Sequence, residues 1–570
     1  MDKTYTSNNN QRLILLFLLT SLFILNVLSV KNISLTYDEK GFYYYGARLL
    51  RLDTERNNLW DNSKMPFSVI NNIPWEIARA TKLTSFLDKS NSNKISKDEL
   101  PVYMGRISTI LFSLLLAFYV FRWTNELYGA MPAFFSLFIY MVSPNIIAHS
   151  GLVTVDLYAA GMITISLYYF WKFLNYGGWN RGLVSALTLG ISQLAKYTCV
   201  YLYPIFLLIV TIRFLSNIFI NNKTDYNYIV KHIKSFIWIL FCFILVSIVL
   251  INIGFVFNKT FTPFGEYKFR SNLFTALQTK FSAISGLPVP LPYAYVDGLD
   301  YVKYLDDTGK THASVYLFEK LKEPGKSFIG YYFIAFLFKE PIAIQIFILL
   351  AFVVYIFNIK KFNFLNNELL LFIPIILFAI YFNFFFKTQI GIRYYLVIFP
   401  LLYVFSGSLV RGWGEWELKQ KAAIAILAIY LVASVISYYP HYISYFNELV
   451  FNRKMAFKIL ADSNIHWGQN KFYLEKYLDK HPNITVADIS LTWEGDRSYY
   501  KAFVKRYPNI HLNPSIPISG RIVITTNDIA GIFDSEKYRW LRENFEPVDH
   551  IAYSYLVYEV SPEKLKRILH

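Results

Sequence analysis

The chain has 570 residues, of which 55% are hydrophobic and 19% aromatic, with a formal net charge of +17 and a mean hydropathy of +0.33. Its apolar runs repeatedly reach the length needed to cross roughly 30 Å of hydrocarbon, which excludes an ordinary soluble enzyme. The positive charge is spread through loops between those runs rather than gathered on a soluble domain, so nucleic acid is excluded as a partner.

The first run, about residues 13–30, lacks a small-residue cleavage site and reads as a retained helix. Further runs fall near 107–123, 131–148, 157–174, 183–196, 199–217, 235–257, 341–358, 369–386, 394–410 and 422–439. The expected fold is therefore a polytopic α-helical membrane protein with about eleven spans over residues 1–439. Lys3, Arg12, Arg213, Lys223, Lys231, Lys234, Lys360, Lys361, Arg411, Lys419 and Lys421 mark the cytoplasmic side by the positive-inside rule. Residues 31–105 and 258–338 and everything after Pro440 are then expected outside. "LAKYTCVYLYP" places Lys196 and a proline where a continuous helix is awkward, and predicts a broken helix or a re-entrant hairpin.

The first outer loop is polar and turn-rich, which suits short interfacial helices, and the 258–338 loop, rich in Gly, Pro and Tyr, reads as an irregular binding loop. Residues 440–570 alternate β-like "NITVADIS", "GRIVITTND" and "AYSYLVYEV" with helix-like "RSYYKAFVKRYP" and "DSEKYRWLREN", the pattern of a small α/β domain. Cys199 and Cys242 both lie in apolar runs and read as packing residues.

Candidate chemistry begins at "YDE", directly after the first span, where Asp38 and Glu39 stand at the outer face. Adjacent side chains project in different directions, so one is the candidate base, Asp38, and the other a positioner, Glu39. Asp156 heads a later span on the same face. As a bland alternative, these acids only cap helices. An extracytoplasmic enzyme has no nucleotide-sugar supply, so group transfer there calls for a lipid-borne donor such as a polyprenyl-phosphate sugar. Displacing phosphate from an anomeric carbon needs one base for the acceptor hydroxyl and cations for the leaving anion. Arg393 is the leading phosphate cation, with Lys339, Lys387 and Lys196 as further candidates, although long cations at span ends also snorkel without function. Tyr293, Tyr295 and His312 are candidate substrate contacts in the large loop. No histidine spacing matches a metal motif, so no metal site is expected.

The stretches "YDE", "RISTILFSLLLAFYVFRWTNELYG", "SPNIIAHSGLVTVDLYAAG", "LAKYT", "HASVYLFEKLKEPGKSFIGYYFIAFLFKEPI", "GIRYYLVIFP", "YPHYISYFNELV" and "DSNIHWGQN" together resemble GT-C glycosyltransferases. The resemblance is to bacterial relatives of protein O-mannosyltransferases and of the aminoarabinose transferases that modify lipid A. It implies a polyprenyl-phosphate sugar donor, no required metal, a base at Asp38, and Asp156 beside the active site. It leaves a protein, lipid or glycan hydroxyl as the acceptor. Two features depart from the pattern: His466 stands where relatives often have aspartate, and "SFIGYYF" is less Trp-rich than usual. The MIR module of eukaryotic protein O-mannosyltransferases is absent from the sequence. A transporter or lipid-linked sugar flippase is the rival, since ionisable residues in spans often mark substrate paths. A membrane scaffold with a partner-binding C-terminal domain is a third reading, and it leaves the acidic pair unexplained.

Overall fold

A computed structural model describes residues 9–56, 59–84, 96–219, 226–310, 313–487, 497–512 and 516–569. Lys3, Lys223, His312 and much of the polar stretch "DKSNSNKISKDELP" lie outside the described residues.

The protein is mostly helical and integral to the membrane. Among the described residues, six helices are long and apolar enough to cross a bilayer, and up to eight if each of two bent pairs counts as one span. The sequence predicts about eleven. The difference lies in length and composition, because several apolar runs are bent, broken or short. Run 157–174 falls on the helix Asp156–Tyr176, which is buried continuously from Asp156 to Tyr168. Run 131–148 bends by 65° between Val142 and Pro144, run 341–358 follows a 112° bend after Lys339, and run 369–386 is a short helix that ends in a π turn. The break near Lys196 is present: the helix Trp179–Ser192 ends, Lys196 is extended, and a 3-10 turn Tyr197–Tyr201 leads into the helix Leu202–Phe219.

Polar contacts lock the inner helices together, as expected where lipid supplies little hydrophobic drive between helices. Ser113 on the helix Leu100–Tyr128 lies 2.8 Å from the Ser150 hydroxyl and 3.0 Å from that of Tyr140. Aromatic side chains fill the rest, among them Trp123, Tyr158 and Tyr168, all fully buried. Both cysteines are free thiols.

The large loop is more ordered than its composition suggests. It holds the helices Asn272–Lys280 and Tyr293–Thr308 and a hairpin, β1 (Val315–Leu317) with β2 (Lys320–Lys322). Its turn-like acids are structural: Asp300 accepts from the Arg270 and Ser271 backbone N–H groups at 2.7 and 2.9 Å, and Arg270 pairs with Asp297 at 2.7 Å.

After the last long helix, Leu418–Ile436, the chain forms a mixed five-stranded sheet in the order β4-β3-β5-β7-β6. Its strands are β3 (Ile484–Ala487), β4 (His511–Leu512), β5 (Gly520–Thr525), β6 (Asp549–Ile551) and β7 (Tyr555–Val560). Strand β3 is parallel to β4 and β5, whereas β7 is antiparallel to β5 and β6. The segment leading into this sheet is bound to the first loop, with Ser34 N–H donating to Gln469 O at 2.9 Å and Tyr37 N–H to Trp467 O at 3.0 Å.

The first loop is fixed by a buried ion pair. Arg106 donates to Glu39 from Nε and Nη2 at 2.9 and 2.8 Å, and both side chains are almost fully buried. The remaining capacity is used: Arg106 also reaches the Ile33 and Ser34 carbonyls, and Glu39 accepts from Thr36 N–H at 2.7 Å and Val153 N–H at 3.1 Å. Arg106→Ala leaves Glu39 charged and unpaired, and is expected to cost about 3–5 kcal/mol. Differential scanning fluorimetry of detergent-purified protein measures this, and pairing the change with Glu39→Gln should recover much of the loss.

Candidate active site

Three distant stretches converge at one end of the helical bundle. Asp38 occupies the N-cap position of the helix Glu39–Leu50, yet its side chain makes no capping hydrogen bond. Instead its Oδ2 accepts from Arg393 Nη1 at 2.7 Å. Asp156 is the first residue of its helix, and its carboxylate faces cations as well: Lys196 Nζ lies 2.6 Å from Oδ1, and Arg393 Nη1 lies 3.8 Å from Oδ2. The capping alternative for these two acids is therefore not what their side chains do here. The Asp38 side chain remains 24% exposed and Arg393 only 9%, so the carboxylate is the accessible member of the pair.

Arg393 is held from several directions. Its guanidinium lies 4.1 Å from the centre of the Trp467 ring and 5.3 Å from that of Tyr394, and Lys196 Nζ lies 4.2 Å from the centre of the same Tyr394 ring. The 3-10 turn carrying Arg393, Ile392–Ile398, is fixed at its start by Ile392 N–H donating to Asn464 Oδ1 at 3.0 Å. Gly391 allows this docking, because a Cβ there would strike the Ser463 hydroxyl. The sheet-proximal segment thus forms one wall of the site.

Glu39, Asp38's neighbour, points away and serves the Arg106 lock; through Val153 N–H it also fixes the turn just before Asp156. It is a positioning residue and does not line the site. Lys339 differs from the expectation of a phosphate cation. It is fully buried, and its ammonium donates to the Ile443 and Asn464 carbonyls at 2.7 and 2.6 Å, so its charge holds the chain path beneath the site. Lys387 sits beside Asp307 at 4.0 Å, with its backbone N–H on Asp306. Tyr295 is buried against Tyr197 and Phe255, with its hydroxyl on Gln193 at 3.3 Å, and Tyr293 stacks on Tyr267 at 4.7 Å. Both are packing residues of the large loop. His466 is buried against Tyr555, and burial pushes its pKa down to about 3, which keeps the ring neutral.

The structure adds three residues that the sequence reading passes over. Lys64, in "WDNSKMP", is buried with its ammonium 3.8 Å from the centre of the Phe42 ring and makes no ion pair among the described residues. Burial pushes its pKa down; Asp38 opposes this and Arg393 reinforces it, which places Lys64 in the field of the same site. A lone lysine in a polar loop carries no local signal of that role. Trp467 and Asp462 both lie in "DSNIHWGQN", where their part depends on the fold of the chain after the last span. Asp462 has a left-handed backbone, φ +60, and its N–H donates to Asn527 Oδ1 at 2.8 Å. Burial pushes its carboxyl up to about 6, with Arg393 and the Ser463 N–H opposing and Asp38 adding. Among the described residues no group of three or more His, Cys, Asp or Glu is arranged to hold a metal ion.

Residues 94–251, which contain Arg106, Asp156 and Lys196, match the family model described as dolichyl-phosphate-mannose-protein mannosyltransferase. The chain is similar over 97% of its length to 98% of ArnT from Cupriavidus metallidurans in the apo state, at 10% identity and a TM-score of 0.41. It is similar over 96% of its length to 97% of the same protein bound to undecaprenyl phosphate, at 10% identity and a TM-score of 0.40. It is also similar over 98% of its length to 75% of the oligosaccharyltransferase AglB from Archaeoglobus fulgidus, in complex with an inhibitory peptide and a dolichol-phosphate, at 12% identity and a TM-score of 0.44. No curated protein matches the sequence.

The raised carboxyl of Asp462 gives a pH prediction. A carboxyl whose folded pKa lies above its unfolded value contributes stability below the unfolded value, 3.8, and loses it as pH rises through about 6. Asparagine keeps the shape, tolerates the left-handed backbone and cannot ionise. The melting temperature of Asp462→Asn, relative to wild type, should therefore rise between about pH 5 and about pH 8. A gap that does not change with pH would mean that the carboxyl titrates normally.

Proposed function

We propose that the protein transfers a sugar from a polyprenyl-phosphate donor to a hydroxyl on an extracytoplasmic protein, lipid or glycan, in one displacement with inversion at the anomeric carbon. The observation that carries this reading is the convergence of Asp38 and Asp156 on Arg393, at a site where the base candidate is partly exposed. Asp38 takes the proton of the acceptor hydroxyl as its oxygen bonds to the anomeric carbon. The bond from that carbon to the phosphate oxygen breaks, and the electron pair leaves with the polyprenyl phosphate. Arg393, Lys196 and Lys64 supply the positive charge that the departing anion needs, and Asp156 keeps Lys196 and Arg393 aimed at one place. In this proposal the protein's own cations carry the phosphate charge, and no cofactor is assigned.

The basic loops and the end at which the site lies support an active site and a C-terminal sheet on the extracytoplasmic side of the plasma or inner membrane. A carboxylate with its partner cation at the edge of the bilayer suits a donor whose lipid chain stays in the membrane while its phosphate sits at the interface.

The test is transfer of labelled sugar from synthetic polyprenyl-phosphate donors to envelope fractions by purified, reconstituted protein. Asp38→Asn should lower turnover by about 100-fold or more with an unchanged melting profile. Lys64→Met should act mainly by raising the donor KM, by about tenfold. Turnover near the wild-type rate in Asp38→Asn would remove it as the base.

A further inference from the structure

Far from this site, the helices Asp156–Tyr176, Trp179–Ser192, Leu202–Phe219 and Tyr226–Gly254 enclose a groove of about 450 Å³. The helix Asp156–Tyr176 sets its position. It is 21 residues long and spans roughly 30 Å, with Asp156 at the catalytic end and Asn175 at the groove end. The groove therefore opens toward the opposite face of the membrane.

Its walls are mostly hydrocarbon and aromatic, including Phe173, Phe206, Val210, Phe236 and Phe243, and among the described residues Arg213 is the single charged one lining it. The rim residues Leu207 and Ile233 are exposed. The spans that carry them are buried for only 28% and 22% of their apolar windows, so bilayer lipid has direct lateral access.

Arg213 is half satisfied. Its Nη2 donates to Asn175 Oδ1 at 3.0 Å and Asn366 Oδ1 at 2.6 Å, while Nη1 is buried and has no hydrogen-bond partner among the described residues. The acceptors it has are neutral amides, so they orient the guanidinium without cancelling its charge. A buried donor without a partner is costly, and an arginine fixed by neutral groups is prepared for an oxyanion.

We propose that this groove binds a phosphate-bearing phospholipid of the surrounding leaflet, with one hydrocarbon chain between the four helices and a phosphate oxygen accepting from Arg213 Nη1. The volume lies within the range of small-molecule sites and suits a single chain. The apolar lining argues against a free anion, and the Arg213 cation at one end argues for a headgroup with negative charge. Binding here is separate from donor recognition at Asp38, so either can fail alone.

The full-length protein, purified in detergent, is titrated with phosphatidylglycerol and with diacylglycerol of the same chains, and bound lipid is counted by native mass spectrometry. Phosphatidylglycerol should bind and diacylglycerol should not. Arg213→Gln should weaken phosphatidylglycerol binding by about tenfold. Because Arg213→Gln also removes bonds to Asn175 and Asn366, Val210→Trp provides a second variant, which fills the groove and leaves Arg213 in place; it should abolish binding. Equal binding of the two lipids, or binding unchanged in Val210→Trp, would overturn the proposal.

Discussion

One guanidinium, that of Arg393, joins the parts of this protein that chemistry needs close together. It lies 2.7 Å from Asp38 and 3.8 Å from Asp156, and it rests on Trp467 at 4.1 Å. These residues come from the first loop, the head of an inner helix, and the chain after the last span. Without the arginine, two carboxylates would face each other in a poorly hydrated corner, and their repulsion would hold those elements apart. With it, the charges nearly balance: Asp38 and Asp156 against Arg393 and Lys196. Such clusters are expensive to desolvate, and they persist where their fixed dipoles and charges perform a task.

Around that cluster the fold divides the work between neighbouring residues. Asp38 and Glu39 are adjacent in sequence and differ completely in environment. Glu39 is sealed by Arg106, Thr36 and Val153, and so fixes the backbone from which Asp38 projects. Lys339 and Arg393 show the same division among cations. One holds the Ile443 and Asn464 carbonyls beneath the site, and the other faces the acids. Rigid groups behind a partly exposed carboxylate give it a defined direction without occupying its lone pairs.

Parts of this arrangement are legible in the sequence because a bilayer penalises charge. A carboxylate at the head of an apolar run needs a reason, and that constraint is enough to single out Asp38, Asp156 and Arg393. The same rule marks Lys339 and Lys387 equally, since nothing local distinguishes a cation facing a cavity from one facing carbonyls contributed by residues 443 and 464. Lys64 is invisible for the opposite reason: it lies in a polar loop where a lysine costs nothing until the loop folds inward. Hydropathy locates the apolar runs but not their bends, so run 131–148 reads as one straight helix where the chain turns by 65° after Val142. The helix Asp156–Tyr176 is apolar because protein surrounds it. The helix Tyr293–Thr308 is missed because its buried Asp297 and Asp300 look like turn residues until Arg270 and Ser271 are seen to satisfy them.

The chain after the last span has a role in the site that its soluble appearance conceals. Asn464 accepts from Ile392 N–H, donates to the Tyr331 hydroxyl and receives Lys339 on its carbonyl, so one amide residue ties together the arginine turn, a bent helix and the sheet-proximal segment. Trp467 presents its ring to Arg393 while its carbonyl binds Tyr37 N–H, next to Asp38. A shift of this segment would therefore move the arginine and the base in concert, which preserves their mutual geometry while changing the opening beside them. The five-stranded sheet, through Asn527 on Asp462 and Ser554 on Asn470, anchors that segment at both ends. The C-terminal fold thus acts as the outer wall of a site whose floor is the membrane bundle, and the two are one mechanical unit.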